Sequence, residues 1–211
     1  TLAEVYDRVD TLPRIADRCY EYAKNLGEKG EYAKAVYIGR LAEPYFSGDN
    51  SKYDVFIKDY IIHAMSFNKA ELSAELDAIF GYLQKISDRE IINKHLVTLE
   101  GNASSALTRG KAAEAYEISK RIYNISRESS RVFLDSALEL AKKEELKTSF
   151  GISEAIAMQD DILAETEKFL PYFAKELKEP YVIGYAKRVI EIYESDPKSS
   201  LNFFVQQKDL I

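Results

Sequence analysis

The sequence predicts an all-α protein built from stacked antiparallel helical hairpins. Apolar residues recur at helical spacing along most of the 211-residue chain, most clearly over residues 53–67. No segment shows the apolar–polar alternation of a half-buried strand. Short glycine-containing breaks, such as residues 27–30 and Gly110, separate neighbouring helical patterns. Each break therefore predicts that one helix ends and the next folds back along it.

The N-terminal part predicts a short helix and then a hairpin. Residues 1–10 have apolar residues at helical spacing, and Asp10 and Pro13 suit the cap and first turn of a second helix. That helix carries apolar and small residues on one predicted buried side: Ile15, Ala16, Cys19, Tyr22, Ala23 and Leu26. Its return helix has small residues on one face: Ala35, Gly39 and Ala42. Small side chains there let another helix approach closely.

The middle of the chain predicts two further helical pairs. Residues 53–67 and 72–86 form the first, and Ser87 with Glu90 has the spacing of a capping box at the start of the next helix. Later helices are expected over these segments: 89–109, 111–125, 132–146, 152–170, 171–178 and 180–195, with a last helix that includes residues 201–205. Helices of the usual ~10–14 residues give roughly ten to twelve in all, in one continuous domain covering residues 1–211.

A single hairpin of this kind is only marginally stable. Burial of its apolar face stabilises it by about as much as the ordering of its backbone costs. Neighbours on both sides are therefore needed to cover the remaining apolar surface, and this is the physical reason why helical repeats form arrays.

The hairpin at residues 15–44 resembles a tetratricopeptide repeat. Aligned on the turn at Gly30, the small positions of that family's pattern fall on Ala23, Ala35 and Ala42, and Gly39 stands where the family often has an aromatic residue. Aligned on Gly110, the equivalent positions are Ala103, Ala115, Ser119 and Ile122. The resemblance implies an α-solenoid, a superhelix of hairpins, that binds a peptide or protein along the face made by its first helices.

Some members of that family hold a peptide's C-terminal carboxylate with Lys and Asn at fixed positions of the first helix. The matching positions here are Tyr20 and Lys24 in the first hairpin. Only Lys24 is compatible with that role, so we do not predict a carboxylate clamp. Both residues remain candidates for partner contact.

Composition and charge exclude several classes of function. The net charge of −6 disfavours general binding to nucleic acid, which needs a basic surface. No stretch approaches the ~20 apolar residues of a membrane span. Cys19 is the only cysteine and cannot form an internal disulfide, so a reducing, cytoplasmic location is expected.

The sequence contains no known arrangement of catalytic residues. His63 and His95 are the only histidines, and each lies in an apolar helical pattern. Neither has a glutamate three residues before it, as a di-iron bundle requires, and no His-Glu-x-x-His occurs. We interpret both as core or interface residues, and Cys19 as a buried structural residue. No cofactor and no metal are expected.

A local basic window is the best hint of a binding surface. Its cations are Arg109, Lys111, Lys120, Arg121, Arg127 and Arg131, opposed only by Glu114, Glu117 and Glu128. Lys120, Arg121, Arg127 and Arg131 are predicted to attract an acidic partner segment or a phosphate. The alternative is a solvated helix face. Tyrosines can also line a groove, and the candidates are Tyr20, Tyr37 and Tyr116.

These observations favour a non-catalytic protein or peptide binding module. The alternative is a helical-bundle sensor or enzyme with a polar pocket near His63 or His95. A homodimer through one stacked face is a third interpretation.

Overall fold

The computed structural model describes residues 2–126 and 130–143, together with the single positions 190, 191 and 194. All regular elements in this part of the chain are helical, without a strand, so the all-α prediction is confirmed. The helices are α1 (Leu2–Glu28), α2 (Tyr32–Ala42), α3 (Asn50–Ala64), α4 (Lys69–Leu83), α5 (Arg89–Thr108), α6 (Ala112–Ile125) and α7 (Ser130–Lys142), with a 3₁₀ turn at Glu43–Tyr45. Apart from the helical positions 190, 191 and 194, the helices predicted beyond residue 146 lie outside the described residues.

The chain divides into two compact units, Thr1–Leu99 and Glu100–Ile211. The first contains α1 to α4 and the first part of α5. In the second, the described residues belong to the rest of α5, to α6 and to α7. The single continuous domain stays a prediction. None of the described helices has both the length and the apolar character needed to cross a membrane.

The first helix does not break where the sequence predicts a new cap. α1 runs without interruption from Leu2 to Glu28, with Pro13 inside it. Proline removes one helical hydrogen bond, but its fixed φ of about −65° is compatible with the helix. The cap predicted at Asp10 is therefore wrong, and the two predicted helices are one.

The two predicted glycine turns share one geometry. Gly30 has a φ of +79° and Gly110 a φ of +75°. After α1, the N–H of Glu31 bonds to the Leu26 carbonyl at 2.9 Å, and after α5 the N–H of Lys111 bonds to the Ala106 carbonyl at 2.9 Å. A hydrogen bond that spans six residues, together with a glycine of positive φ, defines the Schellman motif at the end of a helix. Glycine is needed at both positions because a side chain disfavours positive φ.

The small face of α2 packs as predicted. Ala35, Gly39 and Ala42 are buried, and α2 contacts both α1 and α3. A Cβ atom on Gly39 would lie 2.6 Å from the Phe56 ring of α3. The absence of a side chain at residue 39 is thus what allows the aromatic ring to reach the α2 backbone.

The core of the first unit is rich in aromatic contacts. The Phe46 ring centroid lies 5.5 Å from that of Tyr20, 5.2 Å from that of Tyr53 and 6.1 Å from that of Phe56. The rings meet edge to face, the arrangement that aromatic pairs favour. The predicted apolar faces of α3 and α4 are also confirmed. Their buried members are Tyr53, Phe56, Ile57, Tyr60, Ile61, Ala64, Leu72, Leu76, Ile79, Phe80 and Leu83.

The cap of α5 is Asp88 and not the predicted Ser87. The Asp88 carboxylate accepts from the backbone N–H of Glu90 at 2.9 Å and of Ile91 at 3.5 Å. Ser87 instead exchanges two hydrogen bonds with the side chain of Asn50 at the start of α3. Ser87 therefore bonds to a residue distant in sequence and does not cap its own helix.

In the second unit, α6 packs against α7. The Phe133 ring stacks on Tyr116 at 5.4 Å and on Tyr123 at 5.0 Å between centroids. The buried hydroxyls of Ser119 and Ser136 lie 3.3 Å apart at the same interface. Both serines also donate to carbonyls of their own helices, so their burial leaves no hydroxyl unsatisfied.

Candidate functional site

The structure pairs several cations of the predicted basic window with carboxylates. Lys111 bonds to Glu114 at 2.9 Å, Arg121 to Glu117 at 2.7 Å and Arg131 to Asp135 at 3.1 Å. Each pair lies within one helix or at its start and partly neutralises the window. Arg127 lies outside the described residues. An acidic partner for this window stays a prediction.

Lys120 of the same window has an aromatic neighbour. Its ammonium lies 5.8 Å from the centroid of the Tyr116 ring, within the range of a cation–π contact. Burial raises the pKa of Tyr116 to about 12, with a smaller contribution from Glu117. Tyr116 is therefore a core residue beneath Lys120, and the structure does not place it in a groove.

The other predicted partner-binding residues are divided between core and surface. Tyr20 is only 9% exposed and packs on Phe46, so a partner does not reach its ring in this conformation. Lys24 is half-buried on α1. Tyr37, by contrast, is exposed on α2.

The two histidines occupy different environments. His95 is 2% exposed, and its Nε2 lies 2.9 Å from Asp54 Oδ1. Burial lowers the pKa of His95, opposed mainly by the charge of Asp54. The imidazole is therefore neutral near pH 7. His63 is half-buried, with its ring 4.8 Å from that of Phe67.

The described residues contain no group of three or more His, Cys, Asp or Glu side chains placed to hold a metal ion. Cys19 is half-buried, more accessible than the structural cysteine that the sequence predicts. A cavity of about 420 Å³ lies in the second unit, between the end of α5 and α7. Its lining residues are Leu107, Thr108, Gly110, Ala112, Asp135, Leu138, Glu139, Lys142 and Lys143.

A group of large apolar side chains is exposed on the first hairpin. Ile15 and Tyr22 stand seven residues apart on α1, and Leu41 and Tyr45 stand four apart on α2 and the following turn. These four side chains are between 39% and 58% exposed. We call these four residues the α1–α2 strip. The sequence predicts Ile15 and Tyr22 on a buried face, but the structure buries only the narrower set Ala16, Ala23 and Leu26.

The two helices that carry the strip are neighbours. α1 and α2 are joined by a tight turn and pack on one another. The hydrogen bond and charge of Glu31 raise the pKa of Lys34, and Tyr22 adds a smaller effect. Tyr22 is thus close enough to α2 to influence a lysine there.

Three cations accompany the strip. Arg18 shares the helical face of Ile15 and Tyr22, at spacings of three and four residues, and Lys29 lies in the turn after α1. Within the described part of the chain, neither of these two forms an ion pair or a hydrogen bond through its side chain. Lys34, on α2, bonds to Glu31 at 2.5 Å in an exposed pair. Apolar contact area and positive charge therefore occur together on this hairpin.

Two polar networks attach the α2 side of the strip to the body of the unit. Arg40 bonds to Glu75 of α4 at 2.7 Å, and both contact the hydroxyl of the buried Tyr60. The largely buried Glu43 accepts from Tyr53 at 2.7 Å and from Lys85 at 2.5 Å. Hydrogen bonds to charged groups are the stronger kind. These networks hold α2 against α3 and α4 and leave its outer face free.

Sequence reasoning missed the strip because its residues have the spacing of a core. A signal was nevertheless present. The apolar side of α1 contains Ile15, Cys19 and Tyr22 in addition to Ala16 and Ala23, which makes it wider than the surface that one packed helix covers. An apolar face that is too wide for its neighbour leaves an exposed margin.

Comparison of the chain with family models, with curated proteins and with solved structures gives no match. The function must therefore be inferred from the residues and their geometry.

Proposed function

We propose that this protein is a non-catalytic binding module that holds a segment of another protein on its helical scaffold. The α1–α2 strip carries this proposal. Four large apolar side chains, Ile15, Tyr22, Leu41 and Tyr45, are exposed on two adjacent helices that are themselves well packed. Grouped apolar exposure of this kind is typical of interaction surfaces, whereas single exposed apolar residues are ordinary.

The tyrosines of the strip suit this role. Each combines a large apolar face with a hydroxyl that remains hydrated, and aromatic residues are enriched in the centres of interfaces. The backbone beneath them is held by the Arg40 and Glu43 networks. A surface that is rigid before binding loses little conformational freedom when a partner arrives.

The tetratricopeptide-like superhelix is the arrangement that we propose for the scaffold. Contacts between α1 and α2, between α2 and α3, between α3 and α4, and between α1 and α3 support this arrangement, because a stacked hairpin touches both helices of its predecessor. The shared geometry at Gly30 and Gly110 also supports it. The sensor or enzyme with a pocket near His63 or His95 stays an alternative prediction.

The proposal is tested with an affinity-tagged protein incubated in an extract of its native cells. A variant with Ile15→Ser and Leu41→Ser removes the centre of the strip. Val97→Ser is the matched control, because Val97 is also an exposed apolar residue of the first unit but lies on α5. Retained proteins are compared by quantitative mass spectrometry.

We expect proteins that are retained by the wild type and by the control, and depleted about tenfold or more with the strip variant. Circular dichroism establishes that all three proteins are equally helical. Identical sets of retained proteins for the wild type and the strip variant would contradict the proposed surface.

A further inference from the structure

We propose that the partner of the α1–α2 strip is an amphipathic helix whose apolar face is flanked by acidic residues. This inference rests on the proposed function and specifies the chemistry of the partner. Its basis is the combination of the apolar side chains of the strip with the cations Arg18, Lys29 and Lys34.

The shape of the strip favours a helix as the occupant. Two packed antiparallel helices, with axes about 8–10 Å apart, leave a shallow groove between them into which a third helix packs. Ile15 and Glu28, the last residue of α1, stand thirteen residues apart, which spans about 20 Å at ~1.5 Å per residue. A helix of four turns fits that length. Its apolar residues at i, i+3, i+4 and i+7 would meet Ile15, Tyr22 and Leu41, the usual mode of helix-in-groove binding.

The charges select an acidic partner. Arg18 lies between Ile15 and Tyr22 on one face of α1, and Lys29 lies in the turn that follows this helix. Both cations are exposed, and in the described residues neither pairs with a carboxylate, although Glu21 stands three positions after Arg18. Glu31 is the acidic residue that meets the strip cations directly, through Lys34. Arg18 and Lys29 are therefore exposed cations without a carboxylate partner among the described residues, in a chain of net charge −6, and complementary carboxylates of a partner would gain from their charge.

Apolar and cationic side chains together can also bind an anionic bilayer. The net negative charge of the chain disfavours binding to such a membrane. A membrane attracts the whole molecule through its long-range field, and a net charge of −6 opposes that approach. A helix in the groove experiences mainly the nearby cations, because salt screens charges beyond about 8 Å.

The test uses three synthetic peptides of about 18 residues, long enough for four to five helical turns. All have the same leucine face, and the flanking positions are Glu in one, Gln in the second and Lys in the third. Binding of each fluorescein-labelled peptide is measured by fluorescence anisotropy at about 50 mM and at about 300 mM NaCl, a range over which exposed charge interactions weaken strongly.

We expect the Glu peptide to bind about tenfold or more tightly than the Lys peptide at low salt, and the difference to shrink at high salt. The variant with Arg18→Glu and Lys29→Glu should lose this preference. The control variant with Arg89→Glu and Lys143→Glu changes the net charge equally, using exposed cations outside the strip, and should keep it. The variant with Ile15→Ser and Leu41→Ser should bind all three peptides weakly.

The outcomes separate this inference from the proposed function. Equal binding of the three peptides, lost with Ile15→Ser and Leu41→Ser, would overturn the acidic partner but leave the binding strip in place. No binding of the Glu peptide up to millimolar concentration would also overturn the acidic helix, and the extract experiment would then decide the proposed function alone. Binding that is unchanged in the strip variant would contradict both.

Two other occupants are assessed with the same variants. Sedimentation equilibrium that shows a dimer dissociated by Leu41→Ser would mean that a second copy of the chain covers the strip, and would overturn the proposal. Co-sedimentation with vesicles of phosphatidylserine and phosphatidylcholine, abolished by Arg18→Glu and Lys29→Glu, would overturn it in favour of a membrane surface.

Discussion

Asp59 is a buried carboxyl group at the contact between α3 and α1. It is 8% exposed, and its Oδ2 would lie 2.0 Å from a Cβ atom added to Gly27. Burial raises the pKa of Asp59 to about 6, a shift that Lys58 reduces and Glu28 reinforces. The carboxyl group also lies near the end of α1, where the helix dipole is negative. At neutral pH the folded protein therefore carries a charge in an unfavourable position.

This position predicts the pH dependence of the Asp59→Asn variant. Because the pKa is higher in the folded than in the unfolded chain, stability is greatest below the unfolded value near 4 and is lost as pH rises through about 6. At pH 7 the charged group costs about 2–3 kcal/mol, so Asp59→Asn should stabilise the protein there and have little effect at pH 4. Urea unfolding at several pH values measures the difference.

Asp77→Asn is the control for Asp59→Asn, because Asp77 is an exposed aspartate of the same unit. The pH dependence of the effect of Asp59→Asn is measured relative to this variant. A gain from Asp59→Asn that is the same at pH 4 and pH 8 would show that removal of the charge is not its cause.

At the scale of helices, α3 approaches α2 closely at Gly39. Gly39 leaves room for the Phe56 ring, which also contacts Tyr60 and Tyr82 at centroid distances of 5.7 and 5.1 Å. A displaced Phe56 would disturb these two contacts as well. Glycine at residue 39 thus accommodates an aromatic ring of the neighbouring helix.

Gly39→Ala should therefore destabilise the protein although alanine favours helix formation. The added methyl group overlaps the Phe56 ring, and such overpacking costs about 1–3 kcal/mol, against a gain of up to ~1 kcal/mol in helix propensity. Thermal unfolding followed by circular dichroism measures the net loss.

In α5, Gly101→Ala is expected to have the opposite effect on stability. Gly101 is exposed, and a Cβ atom there meets nothing within 4 Å. This substitution should stabilise the protein by about 0.5–1 kcal/mol through helix propensity. If both glycine variants were stabilised equally, the close approach at Gly39 would have no energetic consequence.

At the scale of the whole molecule, two buried groups with opposite responses to pH influence where the protein is most stable. Burial lowers the pKa of His95 and raises that of Asp59. The neutral imidazole contributes stability above the unfolded histidine value near 6.5, and this contribution is lost as pH falls below it. The neutral Asp59 carboxyl contributes below about 6.

The pH of maximum stability should therefore move in opposite directions in two variants. His95→Gln removes the loss of stability at acid pH and should shift the pH of maximum stability to a lower value. Asp59→Asn removes the loss of stability at alkaline pH and should shift the pH of maximum stability to a higher value. The midpoint of thermal unfolding, recorded between pH 4 and pH 9, gives the position of each optimum. Shifts of both variants in the same direction would contradict the assignment of these groups.

The sequence by itself determined the helical class, the apolar faces of α3 and α4, and the glycine turns. These features depend on local chemistry. Helical periodicity identifies a buried face when a neighbour covers all of it, as for Phe56 and Leu76, and positive φ requires glycine at Gly30 and Gly110. The sequence also predicted the small face of α2, because Ala35, Gly39 and Ala42 lie on one side of a helix and small residues there let another helix pack closely.

Only the tertiary structure decided which apolar and polar residues remain available to a partner. Ile15 and Tyr22 have core spacing but lie beyond the surface that α2 covers, while Tyr20 is buried by Phe46. Ser87 has the spacing of a cap, yet it bonds to Asn50, thirty-seven residues away. Exposure and pairing depend on which distant segments meet. Periodicity along one helix contains no information about the width of its neighbour, and for that physical reason the strip could be recognised only in the folded chain.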